Sequence, residues 1–72
     1  MQWAKIVGRN IRRLRSAKNL TQEQLAGEAE IAMRHLGRIE RGESSPTVDV
    51  LGKLAAALNA HPRDFFENER QI

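Results

Sequence analysis

Residues 21–42 read TQEQLAGEAEIAMRHLGRIERG, and the punctuation of this stretch decides the fold. Thr21 is an N-cap residue with Gln24 three positions on, the pattern of a capping box. Leu20 before the cap and Leu25 within the first turns supply the matching hydrophobic staple. Leu25, Ala26 and Ala29 then share one inner face of a short helix over 22–29, and the two alanines allow a neighbouring helix to come close. After a break near Glu30-Ile31 a second helix is predicted over 32–41, with Gly42 as its stop. At about 100° per residue, Ala32, Leu36 and Ile39 face inward. Arg34, Gly37 and Arg41 fall on the opposite side, flanked by Met33 and Arg38, while His35 and Glu40 take the two shoulders.

Outward from this pair the same periodicity continues. Trp3, Ile6, Val7, Ile11 and Leu14 recur at three- and four-residue intervals and predict a first helix over 2–18, with one buried stripe. Asn19 stands where a left-handed residue would end it. Beyond the loop GESSPT (42–47), Thr47 caps a fourth helix over 48–58, with Leu51, Leu54, Ala55 and Leu58 as its stripe and Asn59 as a second left-handed terminator. Pro62 opens a short fifth helix over 62–68 carrying Phe65 and Phe66. No strand pattern, repeat or linker interrupts the series. The expected fold is all-α: residues 1–72 as one compact bundle of five short helices.

Composition narrows the function. Seventy-two residues without cysteine offer neither a disulfide framework nor a thiolate metal site, so stability must come from apolar packing. No apolar run is long enough to span a membrane, and the N-terminus lacks the core of a secretion signal. A cytoplasmic protein is the expectation. The net charge of +3 is strongly polarised: residues 1–18 carry +6 with no acid, residues 19–42 carry −1 and residues 43–72 carry −2. Such a chain can turn a basic surface toward a polyanion. The serines lack a neighbouring base, the carboxylates are scattered, and the two histidines, His35 and His61, have no partners at metal-ligand spacing. The chain is also too small to enclose a substrate pocket easily. No enzyme activity, cofactor, membrane or small-molecule substrate is expected.

A capped short helix, a tight turn and a helix of about ten residues is the helix-turn-helix plan. Its second helix must leave one face uncovered to enter a major groove about 12 Å wide. Arginine suits that face, because its planar fork grips O6 and N7 of guanine together. A mid-helix glycine costs about 1 kcal/mol against alanine. At Gly37 a bare backbone would let the helix settle deeper among base edges.

Three segments, LTQEQLA (20–26), IERGESSPTVDVLGKLAAAL (39–58) and IRRLR (11–15), resemble the phage-repressor (Cro/repressor-type, XRE-like) helix-turn-helix family, with its lambda-repressor-like fold. The likeness spans roughly residues 6–66, and the order and spacing of its pieces make it specific. It implies base contacts from Met33, Arg34, Gly37 and Arg38. It implies phosphate contacts from Gln22 at the first turn of helix two, where Thr21 adjoins it, and from Arg41 and the loop holding Ser44 and Ser45. Basic helix one, through Arg12, would add to phosphate neutralisation. It further implies an ion pair of Arg15 with Glu40 that ties helix one to helix three. The chain departs from the family's usual pattern at Glu30, where glycine is common, and at Ala32, where Ser or Thr is favoured. Either Glu30 takes a left-handed conformation, at about 1 kcal/mol, or the turn relaxes. The missing cap at Ala32 costs about 1 kcal/mol.

The resemblance implies a sequence-specific regulator that binds double-stranded DNA as a homodimer on an inverted repeat. Phage repressors, restriction–modification controllers and antitoxins all share this look. Phe65, Phe66 and Ile72 exceed what helix five can bury and are the expected dimer interface, with one of the two phenylalanines expected to complete the monomer core and the alternative that both do. The other reading is a protein-interaction helical module, such as a toxin-binding antitoxin of the same fold.

Overall fold

Each α-helix stops on the same device, and four stops set the path of the chain. In this computed structural model, which describes residues 2–68, α1 spans Trp3–Ala17, α2 Gln22–Ala29, α3 Met33–Glu40 and α4 Val48–Ala57. Just past each of them sits one residue with positive φ: Asn19 (59°), Glu30 (60°), Gly42 (75°) and Asn59 (53°). At each end two backbone amides reach back to orphan carbonyls, as Leu20 N–H does to Arg15 O at 3.1 Å and Asn19 N–H to Ser16 O at 3.0 Å. The same pair recurs from Ile31 and Glu30, from Glu43 and Gly42, and from Ala60 and Asn59. This is the Schellman motif, which usually places an apolar residue after the left-handed one. Leu20, Ile31 and Ala60 fill that place and pack on the core.

The starts are less uniform. Thr21 Oγ1 accepts from Gln24 N at 3.0 Å while Gln24 Oε1 accepts from Thr21 N at 2.9 Å, the complete capping box. Thr47 Oγ1 accepts from Val50 N and opens α4. Ala32 precedes α3 in extended conformation, with no side chain to cap it. Glu30 does adopt the left-handed conformation, so the turn keeps its geometry and carries the strain.

Ile11, Leu25, Leu36, Ile39, Leu54, Leu58 and Phe65 are fully buried and form the centre of the core. α1 packs on α3, and α2 packs on both α3 and α4. α1 and α3 approach so closely at Gly8 that a methyl group there would overlap the carbonyl oxygen of Ile39 and lie 2.8 Å from that of Glu40. Burying a charged end of α3 against α1 therefore depends on a residue with no side chain.

Two expectations need correction. The fifth helix is a 3₁₀ turn, Pro62–Phe66, and does not run on to residue 68. His61 Nδ1 accepts from Arg63 N at 3.1 Å, and Asp64 Oδ2 accepts from His61 N at 3.1 Å, which starts the turn. It ends because the buried Asn10 amide donates to Phe65 O at 2.8 Å and to Glu67 O at 2.7 Å, holding Glu67 extended. Trp3, placed by periodicity on the buried stripe, is 47 % exposed at the start of α1. Its ring leans on Phe66 with centroids 6.0 Å apart. No helix among the described residues is long and apolar enough to cross a membrane.

The left-handed Glu30 has a direct consequence for stability. Glu30→Gly removes the contact of Cβ with the backbone and should raise unfolding stability by about 1 kcal/mol. Urea titration measures this, and a loss of stability would show that the turn bears no strain.

Candidate nucleic-acid interface

The outer face of α3 is held in place from behind by one carboxylate. Glu40 Oε2 accepts from Arg15 Nε at 2.7 Å, and Oε1 accepts from Arg15 Nη2 at 3.1 Å, a two-pronged pair. Arg15 Nη1 donates to Leu20 O at 2.7 Å, just before the α2 cap. Gln22 Nε2 completes the cluster on Glu40 Oε1 at 2.9 Å. The side chains of Arg15 and Glu40 are only 14 % and 2 % exposed, so water screens the pair weakly. α1, the entry to α2 and the last turn of α3 thus meet at one acid.

In front of that support, Met33, Arg34 and Arg38 project outward. Met33 is 51 % exposed, and both arginines are exposed. Among the described residues neither arginine has a hydrogen-bond or ion-pair partner, so both forks are open. With His35 and Ala32 they line an open hollow beside α3. His61, by contrast, is engaged as the cap of the 3₁₀ turn.

Gly37 differs from its expected role. It is buried, because the ends of two flexible side chains lie over it. A Cβ built there would stand 3.2 Å from Arg41 Nη1 and 3.7 Å from the Gln22 amide. The backbone at the middle of the face is therefore covered by the two residues expected to meet phosphate.

Those residues already have partners. Gln22 Nε2 gives one N–H to Glu40 and keeps the other to donate, while the Thr21 hydroxyl is exposed at the start of α2, using one lone pair for its cap bond and keeping its proton to donate. Arg41 Nε and Nη2 donate to Glu43 Oε2 and Oε1 at 3.0 and 3.2 Å. The hydrogen bond from Arg41, followed by the positive fields of Arg41, Arg38 and Lys5, holds the Glu43 carboxyl below the usual glutamate range. Reciprocally, the Glu43 bond raises the Arg41 guanidinium. The carboxylate is consequently ionised at neutral pH, and the pair is lost only as pH falls through that depressed value. Ser44 is half-buried, and Ser45 and Arg12 are exposed.

The expected dimer surface is also redrawn. Phe65 is fully buried in the core and offers no side chain to a partner. Phe66 is 42 % exposed and lines a hollow of about 150 Å³ with Trp3, Ala4, Val7, Pro46 and Leu51. Ile72 lies outside the described residues.

Sequence reading missed Asn10, Gly8 and the clasp of Glu43 on Arg41. A polar residue at a stripe position was the available signal for Asn10; Gly8 falls outside the apolar stripe on the wheel, and no local signal marked it.

The buried acid gives the sharpest test of this assembly. Removing one partner of a buried pair typically costs about 3–5 kcal/mol, because the other charge is left uncompensated. Glu40→Ala should therefore lose stability on that scale in urea, and a loss below about 1 kcal/mol would mean that solvent replaces the carboxylate.

Three comparisons with known proteins agree with this geometry. Residues 11–65 match a family model described as helix-turn-helix. An uncharacterized HTH-type transcriptional regulator, y4dJ of Sinorhizobium fredii, is 43 % identical over 58 residues, covering 81 % of this chain and 75 % of the relative. The control protein C.BamHI of Bacillus amyloliquefaciens is 32 % identical over 63 residues, covering 86 % and 78 %. Among solved structures, the restriction-modification controller protein C.AhdI from Aeromonas hydrophila superposes with a TM-score of 0.85 at 36 % identity, covering 88 % of this chain and 96 % of that one. With its capped α2, left-handed turn and exposed α3, the chain belongs to the Cro/repressor-type (XRE-like) helix-turn-helix family of DNA-binding transcriptional regulators, which are not enzymes.

Proposed function

We propose that this protein recognises a specific double-stranded operator as a homodimer, inserting α3 of each copy into a major groove. The observation that carries this reading is the pair of arginines, Arg34 and Arg38, without a partner among the described residues, on the exposed side of a helix whose other side is buried. A guanidinium fork left open on a helix of this size matches the O6 and N7 edge of guanine. Met33 beside them offers an apolar contact for a thymine methyl. Thr21, Gln22, Arg41, Ser44, Ser45 and Arg12 surround this face and supply phosphate contacts, which set register and carry no sequence information. Gly37 takes no direct part while Arg41 and Gln22 cover it.

Two α3 helices about 34 Å apart would read half-sites one helical turn apart. Association through Phe66 and Trp3 is supported by their partial exposure around an apolar hollow. Phe66→Ala should weaken the homodimer, with sedimentation velocity shifting toward monomer at the same concentration; an unchanged distribution would move the interface elsewhere.

Binding is tested on specific and random duplexes over a salt series. Affinity should fall with a log–log slope near −0.9 per phosphate neutralised. Arg34→Ala should lose about 1–3 kcal/mol on the selected operator and little on random duplex, whereas Arg12→Ala should weaken both alike. Equal losses on both duplexes for Arg34→Ala would count against base reading.

A further inference from the structure

We propose that Glu43 is an internal stand-in for a DNA phosphate, clasping Arg41 over the centre of α3 and keeping phosphate affinity low until a duplex displaces it. This rests on the duplex-binding reading above and names the residue that tunes it. Carboxylate and phosphate both present two oxygens at the spacing of a guanidinium fork. Glu43 fills that fork through Nε and Nη2, leaving Arg41 Nη1 lying over Gly37. The anchoring is local and firm at its base, since Glu43 N–H also donates to Arg38 O at 2.9 Å.

The surroundings give the carboxylate a second effect. Its charge is felt by Arg38 and Lys5 as well as Arg41, and the Lys5 stem passes across Gly42. Glu43 therefore sits among three cations on the side of the molecule that would face phosphate. An acid there opposes a polyanion directly and holds a fork that the polyanion needs. Both side chains remain more than half exposed, at 57 % and 54 %. Exposed pairs of this kind are weak, so the clasp opens readily when phosphate competes. Arg41 can then leave Gly37, which removes the nearer of the two side chains that cover it.

The clasp makes a prediction that a simple loss of negative charge does not. Glu43→Gln should tighten binding to specific and random duplexes alike, by about fivefold at moderate salt, and steepen the log–log salt slope by about 0.9 per protomer. Glu28→Gln, the same charge change on exposed α2, should stay within about twofold of the parent. Arg41→Ala should cost more in the Glu43→Gln background than in the parent chain, because only there is the fork free before binding. Equal costs in the two backgrounds would overturn the clasp, as would a Glu43→Gln affinity no tighter than that of Glu28→Gln. If the parent chain binds no duplex at low salt, the operator reading fails separately. The clasp is then decided on phosphocellulose: Glu43→Gln eluting at higher salt than Glu28→Gln upholds it, and co-elution overturns it.

Discussion

The Glu40 carboxylate is the point on which this molecule is organised. It gathers Arg15 from α1 and Gln22 from the start of α2, and Arg15 in turn holds Leu20 O. A buried acid of this kind is weak evidence for net stability, because desolvation opposes the attraction. Its value is directional. Both carboxylate oxygens are used, so the last turn of α3 has one permitted azimuth relative to α1 and α2. The exposed side of α3 inherits that azimuth. Gly8 makes the arrangement possible by letting the α3 carbonyls press against α1 without a side chain between them.

A division of labour follows on the surface. Among the described residues, the arginines nearest the N-terminal and middle turns of α3 have open forks, and the arginine after its end has a filled one. Base edges are met only at short range and in one geometry, so an open fork loses little there by waiting. Phosphates attract at long range from every direction, and a free cation at the rim would favour any duplex over the right one. On the proposed reading, covering Arg41 would lower the general attraction; Glu43 fills no fork on the reading side, although its field also reaches Arg38.

Much of this was legible in the sequence, where the physics is local. The capping box at Thr21 and Gln24, the stop at Gly42 and the asparagine terminators at 19 and 59 each depend on a few neighbouring residues. The left-handed Glu30 was one of two outcomes left open, and the structure takes the strained one. What escaped was decided by residues far apart in the chain or by side-chain placement. Asn10 bonds to carbonyls 55 and 57 residues away; its polar place on the apolar stripe of α1 flags it but does not name those partners. Trp3 fits the apolar period of α1, yet it lies at the helix start, where Phe66, Pro46 and Leu51 leave it about half exposed. Gly37 was read as bare because the helical wheel does not show where Arg41 and Gln22 rest.

The Asn10 amide has a bearing on how two molecules would meet. It grips two carbonyls of the closing segment from inside α1, and its own Oδ1 accepts from Arg13 Nη2 at 3.3 Å. The aromatic pair on that side of the molecule is thereby tied to the first helix. In a mated pair of the kind proposed, the separation between the two reading helices would be a property of the rigid body, like the gap of a calliper with a locked screw. A half-site displaced by a single base pair would then find the second helix turned out of reach, whatever its own sequence.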